Sequence, residues 1–181
     1  MTSPDAIPAG TLAVADQFPA PPAADSDADL EFDPAFGAME RATRARPEMQ
    51  HGETIEPAQP PDWAEAANLA EALMQRTLDL RVLVHLAIAR LHLRGLEGFA
   101  PVLGLIREAL ETQWERVHPR LDPEDDLDAT QRASALSQLG DPAVVLPALR
   151  DGVLARARRD SVTWRDTAAA GGEGEPAAGR P

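Results

Sequence analysis

Apolar residues recur at helical spacing through most of residues 34–150, and each such stretch follows a residue that favours a helix start. Asp33 and Pro34 predict the beginning of the first helix. An aspartate accepts hydrogen bonds from the first backbone amides, and proline fits the first helical position because its missing N–H would be unpaired there anyway. This helix is expected to end before Pro47.

Two further helices are predicted by the same signals. Asp62 and Glu65 have the spacing of a capping box, which predicts a helix that runs to about Thr77. Asp79 is placed to cap the next helix, and Gly95 to end it. That helix is apolar around nearly its whole circumference, so we expect it at the centre of a bundle.

In the second half of the chain, prolines mark several of the predicted helix starts and ends. Pro101 is expected in the first turn of a fourth helix that ends at His118–Pro119. Asp128 and Gln131 form a second potential capping box, and the helix that follows is expected to reach Gly140.

A last helix is expected to start at Asp141–Pro142 and to be broken or kinked by Pro147, whose ring would clash with the preceding turn. Residues 161–164 alternate between polar and apolar side chains, which predicts a short strand, with residues 54–55 as its suggested pairing partner. The predicted fold class is therefore all-α, a single bundle-like domain of about six helices with one short two-stranded β element.

Composition divides the chain into three parts. Residues 1–28 are rich in proline, alanine and aspartate without a sustained apolar period, which predicts a disordered acidic arm. Residues 29–167 hold the helical domain. Residues 168–181 are rich in Gly, Ala, Pro and Glu and are expected to form a flexible tail or a truncated linker.

The residue content excludes several kinds of chemistry. There is no cysteine, and the 17 basic residues are all arginine, so disulfides, zinc–sulfur sites, Schiff-base lysines and phosphate-loop lysines are ruled out. The net charge of −13 opposes binding to nucleic acid or to an anionic membrane. No stretch is long and apolar enough for membrane insertion. We expect a cytoplasmic protein without a cofactor, a metal or a catalytic residue.

The histidines and one acidic run are candidate metal ligands. His85 and His92 lie about 10 Å apart along one helix, too far to share a metal. The acidic run at 122–128 has Leu127 where a calcium loop needs glycine, so a solvated loop is favoured. A metal site or metal-assisted hydrolase built on four residues remains an open alternative: His118, Asp122, Glu124 and Asp126.

The remaining singular side chains are expected to be mainly structural. Arg81 begins an otherwise apolar helix, where structural ion pairing is favoured over partner binding. Trp63 and Trp114 fall at core-facing positions and are expected to be core anchors. Trp164 is expected either to cover the bundle or to contact a partner. A basic cluster is formed by Arg156, Arg158 and Arg159, and is expected to be solvated or paired within the chain.

Short motifs in a fixed order resemble the N-terminal (ImpA-type) domain of the TssA family of bacterial type VI secretion proteins. They include Asp29-Leu-Glu-Phe-Asp33-Pro34, Pro61-Asp62-Trp63, Asp79-Leu-Arg81, Gly95-Leu-Glu-Gly98, Trp114-Glu-Arg-Val-His118-Pro119 and Trp164-Arg165-Asp166. The matching residues, taken as mainly structural, are Asp33, Pro34, Asp62, Trp63, Asp79, Arg81, Gly95, Trp114, His118, Pro119, Asp122, Arg132, Arg165 and Asp166.

The resemblance implies an all-helical, non-enzymatic accessory component of a secretion machine. It implies cytoplasmic action, in association with the inner-membrane-anchored apparatus, and contacts with baseplate, sheath or tube, or membrane-complex proteins. Ring assembly in this family is attributed to a C-terminal domain that this sequence lacks, so a large ring is not expected. The alternative is a generic helical adaptor domain of another complex, because a fold does not fix a function.

Overall fold

Helices dominate the part of the chain that a computed structural model describes, residues 28–51, 54–156 and 161–170. The α-helices there are α1 (Pro34–Ala42), α2 (Trp63–Met74), α3 (Leu80–Arg94), α4 (Leu96–Thr112), α5 (Thr130–Ser137), α6 (Val145–Asp151) and α7 (Trp164–Ala170). Short 3-10 turns cover 114–116, 123–125 and 138–140. The strands are β1 (Met49–His51), β2 (Thr54–Glu56), β3 (Val153–Arg156) and β4 (Ser161–Thr163). The predicted all-α fold class is confirmed. The termini, where the arm and most of the tail were predicted, lie outside these residues.

Helix α3 forms the centre of the core, as its circumferential apolar pattern predicted. It packs against α2 and α4 along their lengths and also contacts α5 and α6. Its residues from Val82 to Ala89 are all buried. The surrounding core is aliphatic, because Leu30, Met39, Leu73, Val102 and Val117 close around α3 with little or no exposure.

The three helix starts predicted in the first half of the chain are confirmed by their hydrogen bonds. Asp33 accepts from the amide of Ala35, and Asp62 accepts from the amide of Glu65. Asp79 accepts from the amide of Arg81. Each carboxylate thereby satisfies a backbone donor that has no partner inside its helix.

Neither predicted capping box is complete. The backbone N–H of Asp62 donates to the carbonyl of Ala42 at 2.8 Å, so it is paired with α1. Helix α5 begins at Thr130, and Asp128 accepts from the amide and hydroxyl of Thr130 in a tight turn. Helix α5 also ends earlier than expected, and a 3-10 turn carries the chain on to Gly140.

The predicted start of the fourth helix was wrong. Gly95 adopts a φ of 63°, which ends α3, and α4 begins at the next residue. Pro101 therefore lies inside α4. Gly98 is buried in the first turn of α4, where a Cβ would lie 2.7 Å from the carbonyl oxygen of Arg90. The close approach of the two helices, which only glycine permits, sets the helix start.

The prediction that Pro147 breaks the last helix was also wrong. Helix α6 starts at Val145, so Pro147 occupies its first turn, where the missing N–H costs no intrahelical bond. The aspartate of the expected Asp141–Pro142 start accepts from the amide of Ala143 and so shapes the turn before α6.

The strand at Ser161–Thr163 is confirmed, but its predicted partner was wrong. It pairs with β3 in an antiparallel hairpin, and β2 pairs with β1 in another. Strand pairing between sequence neighbours closes a shorter loop than the predicted long-range pair. Helix α7 follows β4 directly, and Thr163 caps it, because its hydroxyl oxygen accepts from the amide of Asp166. The Asp166 carboxylate accepts in return from the amide and hydroxyl of Thr163.

Candidate functional site

The residues Asp79 and Arg81 form an ion pair at the beginning of α3. Nη2 of Arg81 lies 2.6 Å from Oδ2 of the fully buried Asp79 carboxylate, and the guanidinium stacks over the ring of Phe36. The pKa of Arg81 is raised, chiefly by its hydrogen bond to Asp79 and to a smaller extent by the charges of Asp29 and Glu31. The structural role predicted for Arg81 is what this geometry provides.

The chain segment 114–119 is attached to the same end of α3. The amide of Leu80 donates to the carbonyl of His118 at 2.9 Å, and the amide of His118 donates to the carbonyl of Leu78 at 2.8 Å. His118 is buried, and the bond between it and Pro119 is cis. His118 therefore forms a parallel β-bridge with Asp79 just before α3 begins.

Arg132 of α5 is buried, with 2% of its surface exposed, and holds that segment from the other side. Its guanidinium donates to the carbonyls of Pro119, Trp114 and Val117 at 2.8, 3.0 and 2.7 Å. Burial lowers the pKa of Arg132. The Trp114 ring stacks on the guanidinium and is 37% exposed, so its predicted role as a core anchor was wrong.

The other residues of the matched motifs also make local structural contacts. Asp33 pairs with Arg76, two residues after the end of α2, at 2.5 Å, and this bond lowers the pKa of Asp33. Trp63 stacks on His92, with ring centroids 4.1 Å apart. Pro34 is the first residue of α1, Gly95 ends α3, and Asp122 caps a 3-10 turn. Arg165 pairs with Asp151, and Asp166 accepts from the amide of Thr163 at the start of α7.

Two carboxylates of the acidic run at 122–128 accept hydrogen bonds from the backbone. Asp122 accepts from the amide of Glu124, and Asp128 from that of Thr130. Across the described residues there is no group of three or more His, Asp or Glu side chains placed to hold a metal ion. His118 and the three acids suggested with it are not brought together as a ligand set.

A cleft that sequence reasoning missed lies between the end of α3 and α6. Its volume is about 400 Å3, and its walls include Leu91, Leu93, Pro147 and Ala148. Leu93 is 46% exposed there. The sequence signal was present, because α3 continues its apolar run into its last turn, where neighbouring helices no longer cover every side.

Exposed apolar side chains continue beyond the cleft. Arg165, in the first turn of α7, binds Asp151 of the cleft wall at 2.6 Å, which places the exposed Trp164 on the adjoining surface. Trp164 is 58% exposed, and Leu146 of α6 is also exposed. These exposed apolar side chains make this part of the fold a candidate contact surface. We refer to Leu93, Leu146 and Trp164 with the cleft as the α3/α6 surface.

Comparisons with known proteins agree on one family. The profile described as ImpA, N-terminal, type VI secretion system, matches residues 19–141. The type VI secretion system component TssA1 of Pseudomonas aeruginosa is 44% identical over 111 residues, 61% of this chain and 32% of that protein.

A solved N-terminal domain of the TssA component from Burkholderia cenocepacia, which includes the conserved ImpA_N region, has a TM-score of 0.57 and 24% identity. That match covers 80% of this chain and 52% of the solved one, and it shows a shared fold. The chain thus spans about a third of one relative and half of the other. No helix in the described part of the chain is long and apolar enough to cross a membrane.

Proposed function

The chain belongs to the ImpA N-terminal family of the type VI secretion system, and from that premise we propose that it is a protein–protein interaction module of the secretion apparatus. Its partners would be baseplate, sheath or tube, or membrane-complex subunits. The module acts by presenting a helical surface and carries out no reaction. The profile match over residues 19–141 is the observation that carries this proposal.

The contacts of the matched residues favour binding by a preformed scaffold. Arg132 donates hydrogen bonds to backbone carbonyls of the chain itself, and Arg81 pairs with Asp79. These charged groups are therefore engaged within the domain. Large apolar side chains are exposed at several places among the described residues, including Phe32 and Met49, and three of them belong to the α3/α6 surface, beside the cleft. We therefore propose this surface as the face that meets the apparatus.

The setting of the proposed function is the cytoplasm, beside the part of the apparatus anchored in the inner membrane. The module is proposed to work as a monomer or weak dimer, with no large ring formed by these residues. A generic adaptor domain that serves another complex is the competing proposal, and the same experiment separates the two.

The test is affinity purification of the tagged chain from its native bacterium, with quantitative identification of co-purifying proteins. An unrelated acidic helical domain is the background control. Leu93→Arg tests the proposed face, and Leu127→Arg is its matched control, because both leucines are exposed and Leu127 does not line the cleft. We expect apparatus subunits with the native chain and with Leu127→Arg, but not with Leu93→Arg.

Two outcomes contradict the proposal. Enrichment of a different complex, with no apparatus subunit above background, would favour the generic adaptor. Equal enrichment of apparatus subunits by both leucine variants would keep the function and reject the α3/α6 surface as the contact face.

A further inference from the structure

A second recess lies between the end of α1 and the beginning of α2, and we call it the α1/α2 recess. Its volume is about 280 Å3. Backbone hydrogen bonds fix its walls, because the amide of Asp62 donates to the carbonyl of Ala42 at 2.8 Å, and Arg46 and Gln59 exchange two bonds of 2.8 and 2.9 Å. All four of these residues line the recess, so its shape is set by contacts within the chain.

Three arginines line this recess, although the whole chain carries a net charge of −13. Arg41 and Arg46 are exposed and make no ion pair within the part of the chain that the structure describes. Arg44 lies 4.0 Å from Glu40, but the Arg44 side chain is 72% exposed, so solvent weakens that pair. At physiological ionic strength charges are screened beyond about 8 Å, so these three arginines, rather than the net charge, govern what binds in the recess.

Two carboxylates also line the recess, at the start of α2. Asp62 accepts from the amide of Glu65, and Glu65 belongs to the first turn of the helix. Both carboxylates therefore lie where the partial positive charge of a helix start offsets part of their own charge. Apolar side chains complete the lining: Ala38, Ala42 and Leu69. The recess thus combines three cations, two partly offset anions and an apolar part.

An extended segment with several carboxylates fits this arrangement better than a compact anion such as phosphate. Phosphate concentrates its charge at one point, where Asp62 and Glu65 would repel it. The polar side chains that line the recess are all exposed, so they form no enclosed cradle for a phosphate group. In an extended segment, side chains on one face follow one another at about 7 Å, so acidic residues at alternate positions can pair with separate guanidinium groups.

We propose that the α1/α2 recess binds an acidic, extended segment of a partner protein. The carboxylates of that segment pair with Arg41, Arg44 and Arg46, and its small side chains lie against the apolar part. Electrostatic complementarity of this kind selects the partner and orients it.

The position of the recess relates it to the α3/α6 surface. Trp63, the first residue of α2, follows Asp62 of the recess, and its ring stacks on His92, which lines the α3/α6 cleft. The recess and the cleft therefore adjoin the same end of the bundle, where α2 begins and α3 ends. If the proposed function holds, one apparatus subunit contacts both. The identity of the partner rests on the proposed function, whereas binding of an acidic segment does not.

A synthetic peptide tests the proposal on the purified full-length chain. The probe is a fluorescent peptide of about ten residues in which glutamate and alanine alternate, and the control peptide has glutamine in place of glutamate. In fluorescence anisotropy at ~0.15 M salt, we expect the glutamate peptide to bind about tenfold more tightly or better. In NMR spectra it should shift the amide signals of Ala38, Ala42 and Leu69 and leave those of Leu127 and Ala148 in place.

Four variants connect the binding to the recess. Arg41→Gln and Arg46→Gln should each raise the Kd of the glutamate peptide about three- to fivefold, the effect of losing one exposed ion pair. Arg107→Gln is the matched control, because Arg107 is exposed and does not line the recess, and it should leave the Kd unchanged. Glu65→Gln should lower the Kd about two- to threefold, since it removes a repelling carboxylate. Damage to the fold would not produce this tighter binding.

The proposal is overturned if the glutamate and glutamine peptides bind equally, or if the amide shifts lie outside the recess. It is also overturned if Arg41→Gln and Arg46→Gln bind the peptide as Arg107→Gln does. Tighter binding of inorganic phosphate than of the glutamate peptide would make the recess a site for a compact anion, and would overturn the proposal as well. These measurements contain no apparatus subunit, so they can fail while capture of the apparatus succeeds, and the reverse.

Discussion

Replacing Arg132 tests whether one buried cation holds the 114–119 segment in place. The variant Arg132→Met keeps much of the side-chain volume and removes three hydrogen bonds of 2.7 to 3.0 Å to backbone carbonyls. A hydrogen bond from a charged group contributes about 1.5 to 3 kcal/mol, and a buried carbonyl left without a partner adds a penalty.

The methionine variant also avoids the free-energy cost of burying a charged guanidinium, and this gain offsets part of the loss. We therefore expect Arg132→Met to lower the free energy of unfolding by about 3 to 5 kcal/mol, the range typical of removing one partner from a buried charged contact. Such a loss is a large share of the roughly 5 to 15 kcal/mol that stabilises an ordinary domain.

Urea unfolding followed by circular dichroism measures this change, with Arg107→Met as the matched control. Arg107 is exposed and pairs with the exposed Glu111 at 3.9 Å, so its loss should cost at most about 0.5 kcal/mol. Arg132→Lys should fall between the two, since it keeps the charge but cannot reach three carbonyls at once. Equal losses in Arg132→Met and Arg107→Met would refute the reasoning.

Three further predictions concern the surroundings of α3. Gly98→Ala should lower stability by about 1 to 3 kcal/mol, because its Cβ would meet the carbonyl of Arg90, and an unchanged melting temperature would contradict that contact. Asp79→Ala should cost about 2 to 4 kcal/mol in urea unfolding, since it removes a helix cap and leaves Arg81 without its buried partner; a loss no larger than for an exposed cap would argue against the pair. His85 is buried and its pKa is lowered, chiefly by desolvation, so unfolding takes up a proton and stability should fall as pH drops below about 6.5. Unfolding curves at several pH values should lose that slope in His85→Leu.

The features predicted correctly from the sequence depend on neighbouring residues. Asp33, Asp62 and Asp79 cap their helices because a carboxylate can reach amides two or three positions ahead in any context. The central position of α3 follows from the absence of a polar face. The helix caps depend on contacts between residues close in sequence, and the position of α3 depends on an apolar pattern that fits only the centre of the bundle.

The features that were missed depend on distant contacts. Pro101 lies inside α4 because Gly98 lets α3 and α4 meet closely, which no local signal at Pro101 reveals. Trp114 has the spacing of a core residue, but Arg132 draws its ring to the surface side of the 114–119 segment. The α3/α6 cleft lies between two helices that are far apart in the sequence and leave a gap between them. No local sequence motif therefore predicts it.

The arrangement of neighbours around α3 has a consequence for how the domain assembles in time. Helices α2, α3 and α4 follow one another in the chain and pack on one another directly, so their contacts close short loops and can form early and fast. Helix α7 contacts α6 and β4, and joins the α3 core through α6. Because α6 contacts α3 less extensively than α2 and α4 do, we expect local opening of α6 and α7 to widen the cleft while α2, α3 and α4 stay folded.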